Sequence, residues 1–370
     1  MTHVLCVGIA TLDHVFRVAA MPQSPEKHRA SDLAVTGGGT AANAAVAAAR
    51  LGARVSLYAV LGADPLGDEI VARLEREGVD CAGVRRARGG RSPLSAILVD
   101  EAGERLIISY ADRSLRDDTD WLPRALPAGV EVVLGDTRWQ RASAHFFRLA
   151  RAAGKRAVLD GDHAPIEVDE VLTLPTHIAF SRQGLRDLTG VEDARAALAA
   201  LGLHASMWRG VTDGENGVFY WHDGAVRHEP AFPVAAIDTL GAGDVWHGAF
   251  AVALAEGMDE PAAVRFACAA AAIKCTRFGG CRGTPLRAEV DALLVARAPQ
   301  SPLEGEGRTA KPSGVGWQRG GDRMSTGSFV PPLLGLPRTR KSGGDGAATP
   351  PRRAARADPP PLGEGGGVTQ

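Results

Sequence analysis

Over its first 298 residues the chain alternates short runs of β-branched and aliphatic residues with Ala- and Leu-rich runs of helical period, and few architectures accept that pattern. VLCVGIA (4–10) reads as a strand, ANAAVAAARLGA (42–53) as a helix stopped by Gly52, and VSLYAVLG (55–62) as the next strand. LGDEIVARLEREGV (66–79) is helical, with Ile70, Val71, Leu74 and Val79 at its apolar positions. VEVVLGD, KRAVLDGD and HIAFS each read as a short buried strand, and RASAHFFRLARAAG as a helix. Such alternation predicts an α/β domain, a mainly parallel sheet sandwiched by helices. Ligand sites in these sheets lie beyond the carboxyl ends of the strands. Two stretches, 14–38 and 92–114, break the alternation and read as antiparallel strands, the second a hairpin turning at Glu101–Glu104. Together they predict a small β-sheet lid that excludes water from a site; a plain dimer interface is the alternative, and the two uses are compatible.

From residue 299 the pattern stops. Residues 301–370 are more than a third Gly plus Pro and carry no period of 2 or 3.6, so a Gly/Pro-rich disordered tail is expected over 299–370. That tail holds ten Lys/Arg against six Asp/Glu; with a formal net charge of −1 for the whole chain, the first 300 residues stand at −5. Such a balance gives no reason to expect a nucleic-acid partner. The five cysteines, Cys6, Cys81, Cys268, Cys275 and Cys281, are scattered and form no C-x-x-C pair, which reads as a reduced set of small core residues. No cleavable leader and no run of about 18 apolar residues is apparent, so a soluble, cytoplasmic protein without membrane contact is expected.

The chemistry concentrates in DTLGAGDVWHGAF (238–250). Gly241, Ala242 and Gly243 form a bare turn before an apolar helix, where free N–H groups and the helix dipole suit an anion. An ordinary cap needs one polar side chain and no such bare approach. Asp244 inside an anion site must repel the anion, and phosphoryl transfer supplies a reason: the carboxylate accepts the proton of the attacking hydroxyl while the amides hold the phosphoryl charge. The same residues also read as a plain structural turn. A second Gly-rich stretch, VTGGGTAANAAVAAARLGA (35–53), opens an Ala-rich helix whose small side chains would let a ligand approach, with Asn43 one turn in; close helix–sheet packing is the alternative. Neither a G-x-G-x-x-G dinucleotide fingerprint nor a G-x-x-x-x-G-K-[ST] loop is present. His247 reads as a packed or surface residue, and the indoles of Trp139 and Trp246 as core or pocket wall.

Taken together, GGGTAANAAVAAARLGA with LGADPLGDE, and DTLGAGDVWHGAF, resemble the two signatures of the ribokinase-like (PfkB) carbohydrate kinases, the likeness spanning residues 4 to about 290. The resemblance implies a ribokinase-like fold and transfer of the ATP γ-phosphoryl group to a sugar hydroxyl. It makes Asp244 the catalytic base and Gly241, Ala242 and Gly243 the anion hole. Asp13, at the end of the first strand, and Gly38, Gly39 and Asn43 fall on sugar-contacting positions. VTDGENGVFYW (211–221) is similar to the strand–turn–strand bordering ATP, which sets Thr212, Gly214 and Gly217 beside the nucleotide, and KCTRFGG (274–280) to the segment beside the adenine. Asp238 and Gly280 fall where many members hold a monovalent cation such as K⁺, and the lid of such enzymes often doubles as a homodimer interface.

In one place the sequence departs from the family. Where many members carry N-x-x-E, organising Mg²⁺, this chain has Ser181 and Gly184 in AFSRQGLRDLTG. Mg²⁺ would then be held by ATP phosphates, water and another carboxylate; Asp160 and Asp162, in VLDGD, are the candidates, with a strand-end turn as the alternative. Several strings look most like the sulfofructose kinase branch, where Lys27 and Arg138 match a basic pair for the sulfonate. Ser109 replaces an Asn of that branch, so fructose 6-phosphate, ribose or ketogluconate remain as substrates, as does a non-catalytic sugar- or nucleotide-binding regulator.

Overall fold

The computed structural model describes residues 1–297 other than 117, 163–165 and 205, so the tail expected over 299–370 lies outside the described residues. Numbered in chain order, nine strands form the main sheet: β1 (His3–Val7), β4 (Arg54–Gly62), β5 (Val79–Ala87), β8 (Val132–Asp136), β9 (Arg156–Gly161), β10 (His177–Ser181), β11 (Trp208–Thr212), β12 (Val218–His222) and β13 (Ala225–Glu229). Their order is β13-β12-β11-β10-β9-β8-β1-β4-β5. Every pair from β11 to β5 is parallel; β12 and β13 are added antiparallel at one edge.

Alternation along each strand explains the layers. Val4 and Cys6 of β1, Val132 and Leu134 of β8 and Val158 of β9 bury into one face, where α1 (Thr40–Arg50), α2 (Pro65–Arg76), α7 (Ala242–Ala255), α8 (Glu260–Cys275) and α9 (Arg287–Ala296) pack. Leu5, Val7, Val133 and Leu159 point the other way, against α3 (Gln140–Ala152), α4 (Glu170–Thr173), α5 (Arg182–Thr189) and α6 (Ala194–Ala200). Fully buried side chains such as Phe146 and Phe250 each stabilise the sandwich by about 1.5–3 kcal/mol. All five cysteines are free thiols, four of them buried. Among the described residues no helix is long and apolar enough to cross a membrane.

The lid is a separate sheet of β2 (Thr11–Arg17), β3 (Asp32–Gly38), β6 (Leu94–Val99) and β7 (Arg105–Tyr110), in the order β3-β2-β6-β7. β2–β3 and β6–β7 are antiparallel, the latter turning at 100–104 as its sequence indicates, and β2 and β6 run parallel between them. Two expectations change here. Val79 leaves the helix to start β5, because α2 ends at Arg76 and Gly78 turns the chain at φ 83°. Asp13 sits on the lid strand β2, since β1 already ends at Val7.

The Ala-rich α1 proves to be a packing device. Its buried residues run from Ala41 to Ala48 and lie against α7. A Cβ on Gly248 of α7 would stand 2.4 Å from the Ala44 carbonyl and 2.9 Å from the Ala47 methyl, so the two helices pack backbone to backbone. The small residues therefore serve helix–helix contact; Asn43, one turn before Ala47, thereby comes to face Asp244, one turn before Gly248.

Candidate active site

A cleft of about 1510 Å³ opens between the carboxyl ends of the main sheet and the inner face of the lid. Asp13, Gly39, Asn43, Arg138, Asp162, Thr212, Gly214, Gly217 and the whole Gly241–Asp244 turn line it. Lys27 lies exposed in the segment between β2 and β3 and is not brought to the cleft wall. Gly38, Asp160, Asp238 and Gly280 are buried behind the lining.

Gly241 begins α7 in the left-handed region, φ 77°, which a glycine adopts without strain. Of the turn's amides, Ala242 N–H donates to the Thr239 carbonyl at 3.2 Å, so it is partly committed within the chain. The N–H groups of Gly243 and Asp244 have no acceptor among the described residues and remain available at the positive end of α7. Asp244 stands half-buried at the cleft wall, and Asn43 Nδ2 donates to its Oδ2 at 2.6 Å. Burial, then the negative charge of Asp160, push the Asp244 carboxyl up to about 7, and the Asn43 hydrogen bond opposes them.

Beneath this turn lies an acidic floor. Asp160, at the end of β9, is buried with Oδ1 unpartnered; burial and the charges of Asp162 and Asp136 keep its carboxyl well above the ordinary range. His247 packs between them: Nδ1 lies 2.8 Å from the Gly243 carbonyl and 3.3 Å from Asp160 Oδ2, and Nε2 lies 3.1 Å from the Ala179 carbonyl. Burial lowers its imidazole below the usual value. Asp162 is already paired with Arg138 at 2.9 Å. Among the described residues no group of three or more His, Cys, Asp or Glu could hold a metal ion on its own. An orphaned buried carboxylate oxygen amid neighbouring negative charge nevertheless fits a divalent cation shared with phosphate oxygens and water, which would relieve that repulsion. The departure at Ser181 and Gly184 has a steric basis: Ser181 Oγ caps α5 and donates to the Asp162 carbonyl, while a Cβ on Gly184 would stand 2.1 Å from the Gly161 carbonyl. A glutamate has no room there.

On the lid side, Thr11 Oγ1 donates to Asp13 Oδ1 at 2.8 Å, and burial raises the Asp13 carboxyl. A Cβ on Gly38 would collide with that carboxyl at 2.1 Å, and Gly39 runs at φ 90° against the Ile9 carbonyl. The glycines thus shape the seat of Asp13, and Gly38 acts behind the wall. Toward β11 the cleft is bordered by Thr212, by the turn of Gly214 (φ 55°) and Gly217 (φ 85°), by Cys275 of the KCTRFGG segment, and by Phe232, Ala271 and Ala272, three apolar residues that sequence reasoning did not pick out.

Two further residues escaped the sequence reading. Asp136 closes β8 and is buried; its carboxylate accepts from Ile9 N–H, Thr40 Oγ1 and the N–H groups of Arg138 and Trp139. The strand-end VVLGD was its signal. Arg105 reaches from the lid to Thr239 Oγ1 at 2.8 Å, tying β7 to the anion turn, and nothing local in its sequence announces it. Trp139, stacked on Trp121, and Trp246 are both buried pieces of the cleft wall.

The proposed seat for a monovalent cation at Asp238 and Gly280 does not fit one. Asp238 is buried; Oδ1 accepts from Leu240 N–H at 2.8 Å, and Oδ2 from Gly279 and Gly280 N–H at 3.0 Å each. Lys274 Nζ is 3.3 Å from the same Oδ2 and donates to the Asp238 carbonyl at 2.7 Å. Three donors thereby crowd Oδ2 and one holds Oδ1, the ammonium of Lys274 already supplies a positive charge at the carboxylate, and Gly280 turns a donor toward it.

A three-layer sandwich with a lid, closing over a cleft that joins a helix-N-terminal anion turn to a carboxylate, is the frame of a carbohydrate kinase. The chain matches the pfkB family carbohydrate kinase over residues 1–287 and belongs to that family. It is 31% identical to ribokinase of Haemophilus influenzae over 78% of this chain and 97% of that one, and 30% identical to ribokinase of Bacillus subtilis over 80% and 100%. Among solved structures it is similar to a putative ribokinase from Agrobacterium tumefaciens, at 40% identity and a TM-score of 0.75 over 80% of this chain and 98% of that one. Arabidopsis thaliana ribokinase complexed with ribose and ATP follows at 25% identity and a TM-score of 0.66, over 79% and 98%. The protein is a phosphotransferase of ribokinase type that acts on an alcohol group.

Proposed function

We propose that this protein transfers the γ-phosphoryl group of ATP to a hydroxyl of an uncharged sugar, a pentose such as ribose or a ketohexose. The observation that carries the reading is Asp244 at the cleft wall, hydrogen-bonded to Asn43, beside the two uncommitted amides of Gly243 and itself. Asp13 and Asn43 hold the sugar from the lid and from α1. Asp244 accepts the proton of the attacking hydroxyl, its oxygen bonds the γ-phosphorus, and the bond from phosphorus to the β-phosphate bridging oxygen breaks to release ADP. The amides at the start of α7 stabilise the charge on the transferring group. Thr212, Gly214 and Gly217 border the nucleotide. Asp160 and Asp162 would hold Mg²⁺ with the phosphates, where its charge offsets that of the phosphoryl oxygens.

The relatives support both sugar classes: the Arabidopsis ribokinase structure holds ribose and ATP, and mouse ketohexokinase is 28% identical over 74% of this chain. A sulfonated ketose needs two free cations, yet Lys27 stands away from the cleft and Arg138 is paired with Asp162, so the neutral sugar is favoured. The lid's outer face supports a homodimer, since Leu33, Leu106 and Ile108 are exposed there. ATP use is consistent with action in the cytoplasm.

The test is a coupled ADP-release assay over ribose, fructose, 6-sulfofructose, fructose 6-phosphate and ketogluconate, run on the natural protein and on Asp244→Asn. Turnover with ribose or fructose and a loss of roughly 10²-fold or more in the variant, the scale of a missing general base, are expected. Turnover by Asp244→Asn near the natural level would refute the base assignment.

A further inference from the structure

We infer that the ammonium of Lys274 is a built-in monovalent cation that holds the anion turn in shape, making the enzyme independent of K⁺. Lys274 lies in the last turn of α8 with a relative exposure of 0%, at the negative end of that helix. Its Nζ meets both the backbone carbonyl and the carboxylate of Asp238, the residue that opens DTLGAGD. The same carboxylate receives Leu240 N–H from the turn and the successive N–H groups of Gly279 and Gly280, both glycines running at positive φ, 102° and 59°. The Ile237 and Asp238 amides donate to the Cys275 carbonyl, one residue past Lys274. One ion pair therefore ties the end of α8, the Gly279–Gly280 loop and the start of the anion turn into a single node.

A buried ion pair is a poor choice for stability alone, since desolvation of both charges offsets their attraction. At this node the charge has a positional use. Asp238 lies three residues ahead of Gly241, so fixing its carbonyl and carboxylate fixes where the free amides of Gly243 and Asp244 point. A dissociable cation could do the same only by reaching the same oxygens, and here Lys274 Nζ already stands at the Asp238 carbonyl and Oδ2, with two N–H groups beside it. Lys274 is thus a positioning residue, and it acts through the turn without touching the substrates.

The inference rests on the kinase reading for its effect on turnover but not for its other readouts. The experiment compares KCl, NaCl and tetramethylammonium chloride at equal ionic strength. Melting temperature, MgADP affinity by calorimetry and turnover are measured for the natural protein and for Lys274→Ala. The natural protein is expected to be indifferent to the salt. Activation or tighter MgADP binding by K⁺ of about 5-fold or more, the lower end of ordinary site–site coupling, would overturn the inference. Lys274→Ala is expected to bind MgADP roughly tenfold or more weakly in tetramethylammonium and to recover with K⁺ or methylammonium, which fit the vacated volume. A folded variant that no cation rescues counts against a cationic role. If Lys274→Ala fails to fold in every salt, the salt profile of the natural protein decides alone. Absence of turnover on every sugar with normal MgADP binding would tell against the kinase reading and leave these readouts standing.

Discussion

Asp244 sits between opposing influences: burial and the charge of Asp160 hold its proton on, while Asn43 draws the carboxyl back toward ionisation. A base must be ionised to accept a proton, so activity is lost as pH falls through its pKa. We therefore expect kcat/KM to rise with pH through about 7 and to level off above it. Because Asp160 lies close by, the measured midpoint belongs to the coupled group. Replacing Asn43 with Leu removes the one hydrogen bond that opposes the shift and should move the rising limb toward alkaline pH. A pH–rate profile of both proteins checks this; a limb that stays in place in Asn43→Leu would separate Asn43 from the base.

At the scale of elements, the pair of α1 and α7 decides whether Asn43 reaches Asp244 at all. Gly248 leaves no room for a methyl against Ala44 and Ala47. Gly248→Ala should push the helices apart, destabilise the protein by about 1–3 kcal/mol as overpacked cores do, and lower turnover by lengthening the 2.6 Å contact one turn away. Chemical denaturation and steady-state kinetics on the same preparation give both numbers. A variant that is less stable but fully active would show that the close approach serves packing only. The lid strands behave differently: β7 is exposed along its length, and its cleft-facing Arg105 bonds Thr239 of the anion turn.

For the whole molecule, the outer face of the lid is the feature on which the proposed homodimer rests. Leu106 and Ile108 of β7, at one edge of the lid sheet, and Leu33 of β3, at the other, are exposed apolar side chains of the kind that mark interaction surfaces. A second copy of the chain, lid against lid, would cover them. Light scattering on the eluted protein should give a dimer, and Ile108→Lys should give a monomer with a weaker grip on sugar. A monomeric natural protein would remove the lid interface from the account.

Much of the α/β frame was legible in the chain itself, because alternation of period 2 and period 3.6 is written locally, as are the glycine turns at 37–39 and 241–243. The carboxylate of Asp244 and the amides beside it could be named as a candidate site because backbone geometry at a helix start follows from a few consecutive residues. Tertiary structure decided what depends on distant neighbours. It moved Asp13 onto the lid, turned the alanines of α1 from ligand contact to helix packing, closed position 184 to any side chain, and set Lys274 against the carboxylate of Asp238. Each of these rests on two backbones meeting at a fixed distance, and no local pattern of residue types records that distance.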